Sequence, residues 1–282
     1  MTLGERPSTQ PPACEELSFG FQAGGRRLQA RSILPPGTSL SAGGPTLVFL
    51  HEALGSITQW RQFPAALAAA TGLPALVYDR LGHGRSEPRP GPPEPSYLET
   101  EAWERLPEAL AACGIRTPFL VGHSDGATIA LLYAARFPTA PAGVIAEAPH
   151  VFVEDAALRG IWRTLQAYES TPLRDRLRTH HGDQVDAVFH AWSDTWLSPA
   201  FRDWSMAGQL PAITRPVLVI QGEDDEFATP DQVRTVLEGV SGFARALVLP
   251  GCRHVPHFQA REEVLAAMAR FIREQLADFP SD

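Results

Sequence analysis

Phe119-Leu120-Val121-Gly122-His123-Ser124-Asp125-Gly126-Ala127 is the stretch whose reading decides the fold. A short apolar run, bounded by Pro118, enters a Gly-x-Ser-x-Gly pentapeptide. It leaves as Thr128-Ile129-Ala130-Leu131-Leu132-Tyr133-Ala134-Ala135, a run of good helix formers. The sequence therefore reads strand, sharp turn, helix. A serine carried on so tight a bend needs glycine two residues to either side, because a Cβ at Gly122 or Gly126 would collide with the neighbouring strand or helix. The bend exposes the hydroxyl at a helix N-terminus, whose unpaired N–H groups and positive dipole end suit a forming oxyanion. Ser124 is a candidate nucleophile on these grounds.

Outward from this turn, the continuous apolar runs Thr46–Leu50, Ala75–Tyr78, Val144–Ala146 and Val217–Ile220 read as strands buried on both faces of a parallel sheet, with Ala246–Leu249 as the last strand. Helical patterns separate them: Trp60, Phe63, Leu67 and Ala70; Tyr97 to Cys113; a helix begun by Thr229-Pro230; and Glu262 to Ala277, with Val264, Leu265, Met268, Phe271, Ile272 and Leu276 on one face. This alternation predicts a doubly wound, mostly parallel α/β sheet. Leu17 to Leu34 alternates apolar and polar residues around Gly24-Gly25 and reads as a half-exposed hairpin of two edge strands. Residues 1–16, with Pro7, Pro11 and Pro12 among small polar residues, read as a loose tail. Between residues 151 and 212 the sheet rhythm stops. Helical patterning rich in Arg and large aromatics takes over, with four of the six Trp, so this segment is expected to be an inserted α-helical cap on a core made of residues 17–150 and 213–282.

A chain of 282 residues, 44% hydrophobic, can bury a large core. Its formal charge of −8 argues against nucleic acid or an anionic membrane surface as partner and favours a small neutral or apolar molecule. No apolar run reaches the roughly 20 residues of a membrane span, so cytoplasmic residence is the default expectation. Cys14, Cys113 and Cys252 form neither a disulfide framework nor a zinc pattern. The chain has no Lys, which excludes a Walker A loop, a pyridoxal Schiff base and a lysine general base, and no Asn, which excludes an N-glycosylation sequon. No cofactor or metal is expected.

The remaining polar candidates each follow a predicted strand, and in open α/β sheets such positions converge on one crevice. Their order, Ser124, an acid near Asp225, then His254, together with Gly122–Gly126, His51–Ser56, Asp79–Ser86 and Gly222–Asp225, makes the chain resemble a capped α/β hydrolase over roughly residues 17–279. The resemblance implies Ser124 as nucleophile, His254 as base and Asp225 as the acid that orients it, with Asp224 and Glu147 as other positions for the acid and His257 as another for the base. Twenty-nine residues separate Asp225 from His254, room for one helix and one strand. It further implies an oxyanion hole made by the backbone N–H groups of Asp125 and Ala53. Two positions depart from the family pattern: His51-Glu52 stands where His-Gly is usual, and Arg253 stands where Gly precedes the histidine. His51, Glu52, His123, Glu147, His150, Trp162, Trp192, Trp196 and His257 are candidate pocket-lining residues. Asp79, Arg80, His83 and Arg85 resemble a structural turn, and His180, His181 and His190 are expected on the surface or in packing. The expected activity is hydrolysis of a small carboxylic ester or related acyl compound. Rivals on the same scaffold are carbon–carbon hydrolysis of a vinylogous diketone, a lyase, a cofactor-free oxygenase, and a receptor that binds without turnover.

Overall fold

In the computed structural model, residues 14–40 and 43–277 are described. Eight strands form one sheet: β1 (Glu15–Ala23), β2 (Arg26–Leu34), β3 (Thr46–Leu50), β4 (Ala75–Tyr78), β5 (Pro118–His123), β6 (Gly143–Glu147), β7 (Val217–Gly222) and β8 (Ala244–Leu249). Their spatial order is β1-β2-β4-β3-β5-β6-β7-β8, antiparallel from β1 to β4 and parallel from there on. The chain is an α/β-hydrolase fold. Residues 1–13 of the expected tail lie outside the described residues, while Glu15 and Glu16, read as tail, open β1. The hairpin reading also needs correction, since β2 is not an edge. It pairs with β4 from Ala30 to Ile33, which buries Leu28, Ala30 and Ile33 and leaves β1 as the outer strand.

Successive residues of a strand face opposite sides of the sheet, so each apolar strand feeds two cores. Val48 and Leu50 of β3 and Leu120 of β5 pack with α4 (Asp125–Arg136) and with the helix spanning residues 97–112. Leu47 and Phe49 of β3 and Val121 of β5 pack on the other face with α1 (Phe63–Thr71) and α10 (Arg261–Leu276). The 97–112 helix is not uniform: α2 (Tyr97–Thr100) passes through a wide π-type turn, Glu101–Arg105, before α3 (Leu106–Ala112).

Between β6 and β7 come α5 (Asp155–Ser170), α6 (Leu173–His181) and α7 (Val185–Trp196), with no sheet strand. Tyr168 stacks on Phe189 at 3.6 Å, and these rings with Leu177 and Val185 form a small core of their own. After β7, α8 (Pro230–Gly239) starts with the Thr229 side chain accepting from Asp231 N, and a short α9 (Pro256–Gln259) follows β8. The direction of winding reverses between β3 and β5, so the ends of these neighbours open the crevice where ligands bind in such sheets.

Candidate active site

β5 delivers Ser124 at that reversal with φ 53° and ψ −118°, backbone angles a residue with a Cβ avoids. Hydrogen bonds hold the strained turn: Ser124 N donates to Glu147 O on β6, and Ala127 N and Thr128 N donate to Ser124 O. The flanking glycines are sterically required. A Cβ on Gly122 would strike the Gly126 carbonyl, and one on Gly126 would strike the carbonyl of Leu50 at the end of β3.

Ser124, His254 and Asp225 lie in one hydrogen-bonded line. Ser124 Oγ is 3.1 Å from His254 Nε2, and His254 Nδ1 is 2.9 Å from both oxygens of Asp225. Because Nδ1–H must donate to a carboxylate, Nε2 is left to accept the serine proton. The Asp225 side chain is wholly buried. Burial acts to raise its carboxyl, but the His254 imidazole and the Phe227 N–H, which donates at 2.8 Å, hold it below its ordinary value. The Phe227 ring lies 4.7 Å from the His254 ring and shields that side. Arg253, the departure from glycine, forms a 2.9 Å ion pair with Glu226, whose other oxygen accepts from His254 N.

The loop after β3 is fixed through its carbonyls. His51, fully buried, donates from Nδ1 to Glu52 O at 2.8 Å and accepts at Nε2 from Arg80 N at 3.0 Å. The Arg80 guanidinium donates to His51 O and Glu52 O, and His83 Nε2 donates to Ala53 O. Asp79 accepts from Ile57 N and Arg85 N. With the carbonyls bound, the N–H groups of Ala53 and Asp125 remain, and neither finds a backbone acceptor among the described residues. Both residues line the cavity that holds Ser124.

That cavity, of about 220 Å³, is mostly apolar: Ile161 of α5 and Trp192 and Trp196 of α7 face Phe227 across it. Glu52, His123 and His150 line it as well. His150 is nearly fully buried, its Nδ1 has no hydrogen-bond partner among the described residues, and burial, with the His254 ring close by, lowers it to about 3, so it stays neutral. His123 is also buried, which opposes its charge. Its hydrogen bond to Glu52 at 3.5 Å and the Glu147 charge outweigh that cost and raise it to about 9, while its Nε2 donates to His254 O at 2.8 Å.

Four candidate lining residues stand elsewhere. His51 is sealed beneath the loop it braces. Trp162 is 56% exposed, because Ile161, one helical step away, takes the inward face of α5. Glu147 has no exposure and accepts from the N and Nδ1 of His257 at 2.6 and 2.9 Å, so it supports the site from below. His257 lines an adjoining cavity. His181 is buried: it accepts from Gly84 N and donates to Leu54 O, tying α6 to the sheet side, and His190 is exposed beside Asp194.

Sequence reading missed Tyr97, which donates to Asp125 Oδ2 at 2.6 Å and accepts from Trp196 Nε1 at 2.9 Å, a link no local pattern announces. It also missed Phe227, where a signal existed: an acid two residues before a backbone N–H is the spacing of an Asx turn. Among the described residues, one group of three side chains, His123, Glu147 and His257, brings potential metal-ligating atoms within 4.8 Å of one another. Nδ1 of His257 is already bound to Glu147, and both nitrogens of His123 are engaged, so a metal would have to displace these bonds. No helix among the described residues is long and apolar enough to cross a membrane.

An open sheet with this strand order, a reversal beside the Gly-x-Ser-x-Gly turn, and helices between β6 and β7 defines the class of α/β-hydrolase-fold proteins. The chain belongs to the alpha/beta hydrolase family, which it matches over residues 47–267. It is 27% identical over 264 residues to a 2-succinyl-6-hydroxy-2,4-cyclohexadiene-1-carboxylate synthase of Enterobacter, covering 84% of this chain and 95% of that protein. It is 23% identical over 283 residues to a proline iminopeptidase of Thermoplasma volcanium, covering 83% and 88%. Among solved structures, a 2-hydroxy-6-oxo-6-phenylhexa-2,4-dienoate hydrolase of Rhodococcus superimposes with a TM-score of 0.70 at 18% identity, covering 92% of this chain and 99% of that one.

Proposed function

We propose that the protein is a serine hydrolase that cleaves a small carboxylic ester or related acyl compound through an acyl-enzyme. The observation that carries this reading is the line from Ser124 Oγ through the His254 imidazole to the buried Asp225 carboxylate, at 3.1 and 2.9 Å. Ser124 attacks the acyl carbon as its proton passes to His254 Nε2, and the tetrahedral oxyanion is received by the N–H groups of Ala53 and Asp125. His254 then gives the proton to the departing alkoxide, which leaves as the alcohol while the acyl group stays bonded to Ser124 Oγ. Water, deprotonated by the same imidazole, adds to the acyl carbon, and collapse of the second tetrahedral intermediate frees the acid and restores the serine hydroxyl. Asp225 keeps the proton of Nδ1 in place and offsets the charge of the imidazolium.

The helices of residues 151–212 act as a cap that excludes water and selects the substrate. Their contribution of Ile161, Trp192 and Trp196 to the cavity suits a neutral, apolar reacting end. The relatives' names cover a synthase and a peptidase, so the choice among substrates rests on this chain's own cavity.

The test is an ester panel run with the unaltered protein and with Ser124→Ala. A stoichiometric burst of alcohol that disappears in the variant is the expected result. Faster consumption of a vinylogous diketone than of any ester would replace ester hydrolysis by carbon–carbon cleavage, and binding without turnover would make the protein a receptor.

A further inference from the structure

A second cavity, of about 310 Å³, adjoins the Ser124 cavity. Glu52, Gln59, His123, Leu177 and Val255 line both, so a ligand anchored at Ser124 and extending past Gln59 enters the second space. The chemistry changes along that path. The first cavity is mostly apolar, whereas the second carries two arginines, Arg61 and Arg176.

Helix geometry separates Arg176 from its neighbours. Residues 173, 176, 177 and 180 of α6 share one face, and all four line the second cavity. Arg174 and Arg178 lie four apart on another face and are paired with Asp186 and Asp183. Arg176 and Arg61 have no carboxylate partner among the described residues. The Arg61 guanidinium is instead held 4.8 Å over the ring of Phe258, which also lines the cavity.

Hydrogen-bonding capacity is unbalanced in the same direction. The buried indole N–H of Trp60, in the wall of the second cavity, has no partner among the described residues. The carboxylate in the wall, Glu52, is already paired with His123. A cavity walled by an unpaired indole N–H and two guanidinium groups without carboxylate partners is complementary to a ligand group that brings negative charge and acceptor oxygens.

We propose that the substrate carries a carboxylate at the end remote from its scissile acyl group and that Arg61 and Arg176 bind it. This rests on the reading of Ser124 as the nucleophile. It divides the substrate into an apolar reacting half beneath Trp192 and Trp196 and an anionic tail beside α6. The chain length of the acid then follows from the span between the two cavities.

The test compares p-nitrophenyl monoesters of dicarboxylic acids, from adipate to sebacate, with the same esters capped at the far end as methyl esters or as trimethylammonium groups. The expected result is a carboxylate-to-methyl ratio of kcat/KM of about tenfold at the best chain length, as charge-assisted hydrogen bonds of this kind provide. That ratio falls toward one as salt is raised to about 0.5 M and in the Arg61→Gln/Arg176→Gln double variant, and it is partly kept by Arg61→Lys/Arg176→Lys. A ratio near one at every length, a ratio unchanged in the glutamine variant, or a preference for the cationic cap overturns the proposal. Loss of methyl-capped turnover in Ser124→Ala tests the nucleophile separately. If the unaltered protein turns over none of these esters, calorimetric titration with monomethyl adipate against dimethyl adipate reads the anion site alone, and equal affinities overturn it.

Discussion

The phenol of Tyr97 donates a 2.6 Å hydrogen bond to Oδ2 of Asp125, the residue that follows the turn serine. Both groups are buried, and burial pushes the Asp125 carboxyl above its ordinary value, against the attraction of Arg80 at 4.0 Å. Trp196 of α7 donates to the same phenol, so one oxygen joins the helical segment to the start of α4. Tyr97→Phe leaves a buried carboxyl oxygen and an indole N–H without partners. The expected cost is about 1–3 kcal/mol, a fall in Tm of roughly 2–4 °C for each kcal/mol. Since the Asp125 N–H is the proposed oxyanion donor, kcat should fall more than KM rises. Thermal melts and steady-state kinetics on one ester check both, and an unchanged Tm would remove Tyr97 as the anchor.

Asp225 binds His254 Nδ1 with both oxygens, and this fixes which nitrogen faces Ser124. Asp225→Asn keeps the volume but presents an amide that can turn its NH₂ toward the ring, favouring the tautomer with the proton on Nε2. On the proposed mechanism kcat falls by about 10⁴-fold, as in serine hydrolases generally, while KM changes little because Asp225 does not line the cavity. Initial rates over a range of substrate concentration check this. A drop confined to KM would show that Asp225 serves binding instead.

How far the sequence could be read depended on the range of each signal. The strands from β3 to β7 declared themselves because a strand buried on both faces is apolar along nearly its whole length, a local property, whereas β8 is half exposed and showed itself through Ala246–Leu249. Gly122 and Gly126 announced the turn for an equally local reason, the contacts a Cβ would make. β2 was misplaced at the edge because its half-polar pattern records where its side chains point and not which strand lies beside it; pairing with β4, more than forty residues on, is invisible locally. His51 and Glu147 follow strand ends, as pocket residues do, yet both turn inward to brace backbone, and their positions alone do not separate the two uses. Trp162 and Ile161 are adjacent on one helix, and which faces the cavity depends on the roll of α5.

Buried histidines, His51, His83 and His150 among them, set the acid limit of stability. Burial lowers His51 and His150 to about 3 and puts His83 well below its ordinary value of 6.5. As pH falls through 6.5 the unfolded chain binds protons at these positions and the folded chain does not, so their contribution is present above that pH and lost below it. Stability should therefore decline from about pH 6 downward, before the carboxylates titrate. His150→Phe removes one of the three groups and should flatten the slope between pH 5 and 6 by about 1.4 kcal/mol per pH unit. Urea unfolding at a series of pH values measures this, and an unchanged slope would mean that His150 is protonated in the folded protein.

The alkaline limit is set by Glu52 and His123. Burial disfavours the charge on His123, but the hydrogen bond to Glu52 and the surrounding carboxylates raise it to about 9, and Glu52 in turn lies below its ordinary value. A histidine whose folded value exceeds its unfolded 6.5 gives stability that is complete below 6.5 and lost as pH rises through 9. Glu52→Gln removes the largest of the groups that hold the proton. The gap in Tm between the unaltered protein and Glu52→Gln should thus be widest near pH 6 and should shrink as pH rises past 9, where His123 is neutral in both. Melts at pH 6, 8 and 10 at one ionic strength decide it. A gap that does not change with pH would assign Glu52 a purely steric role in the loop that carries Ala53, because a packing defect does not titrate.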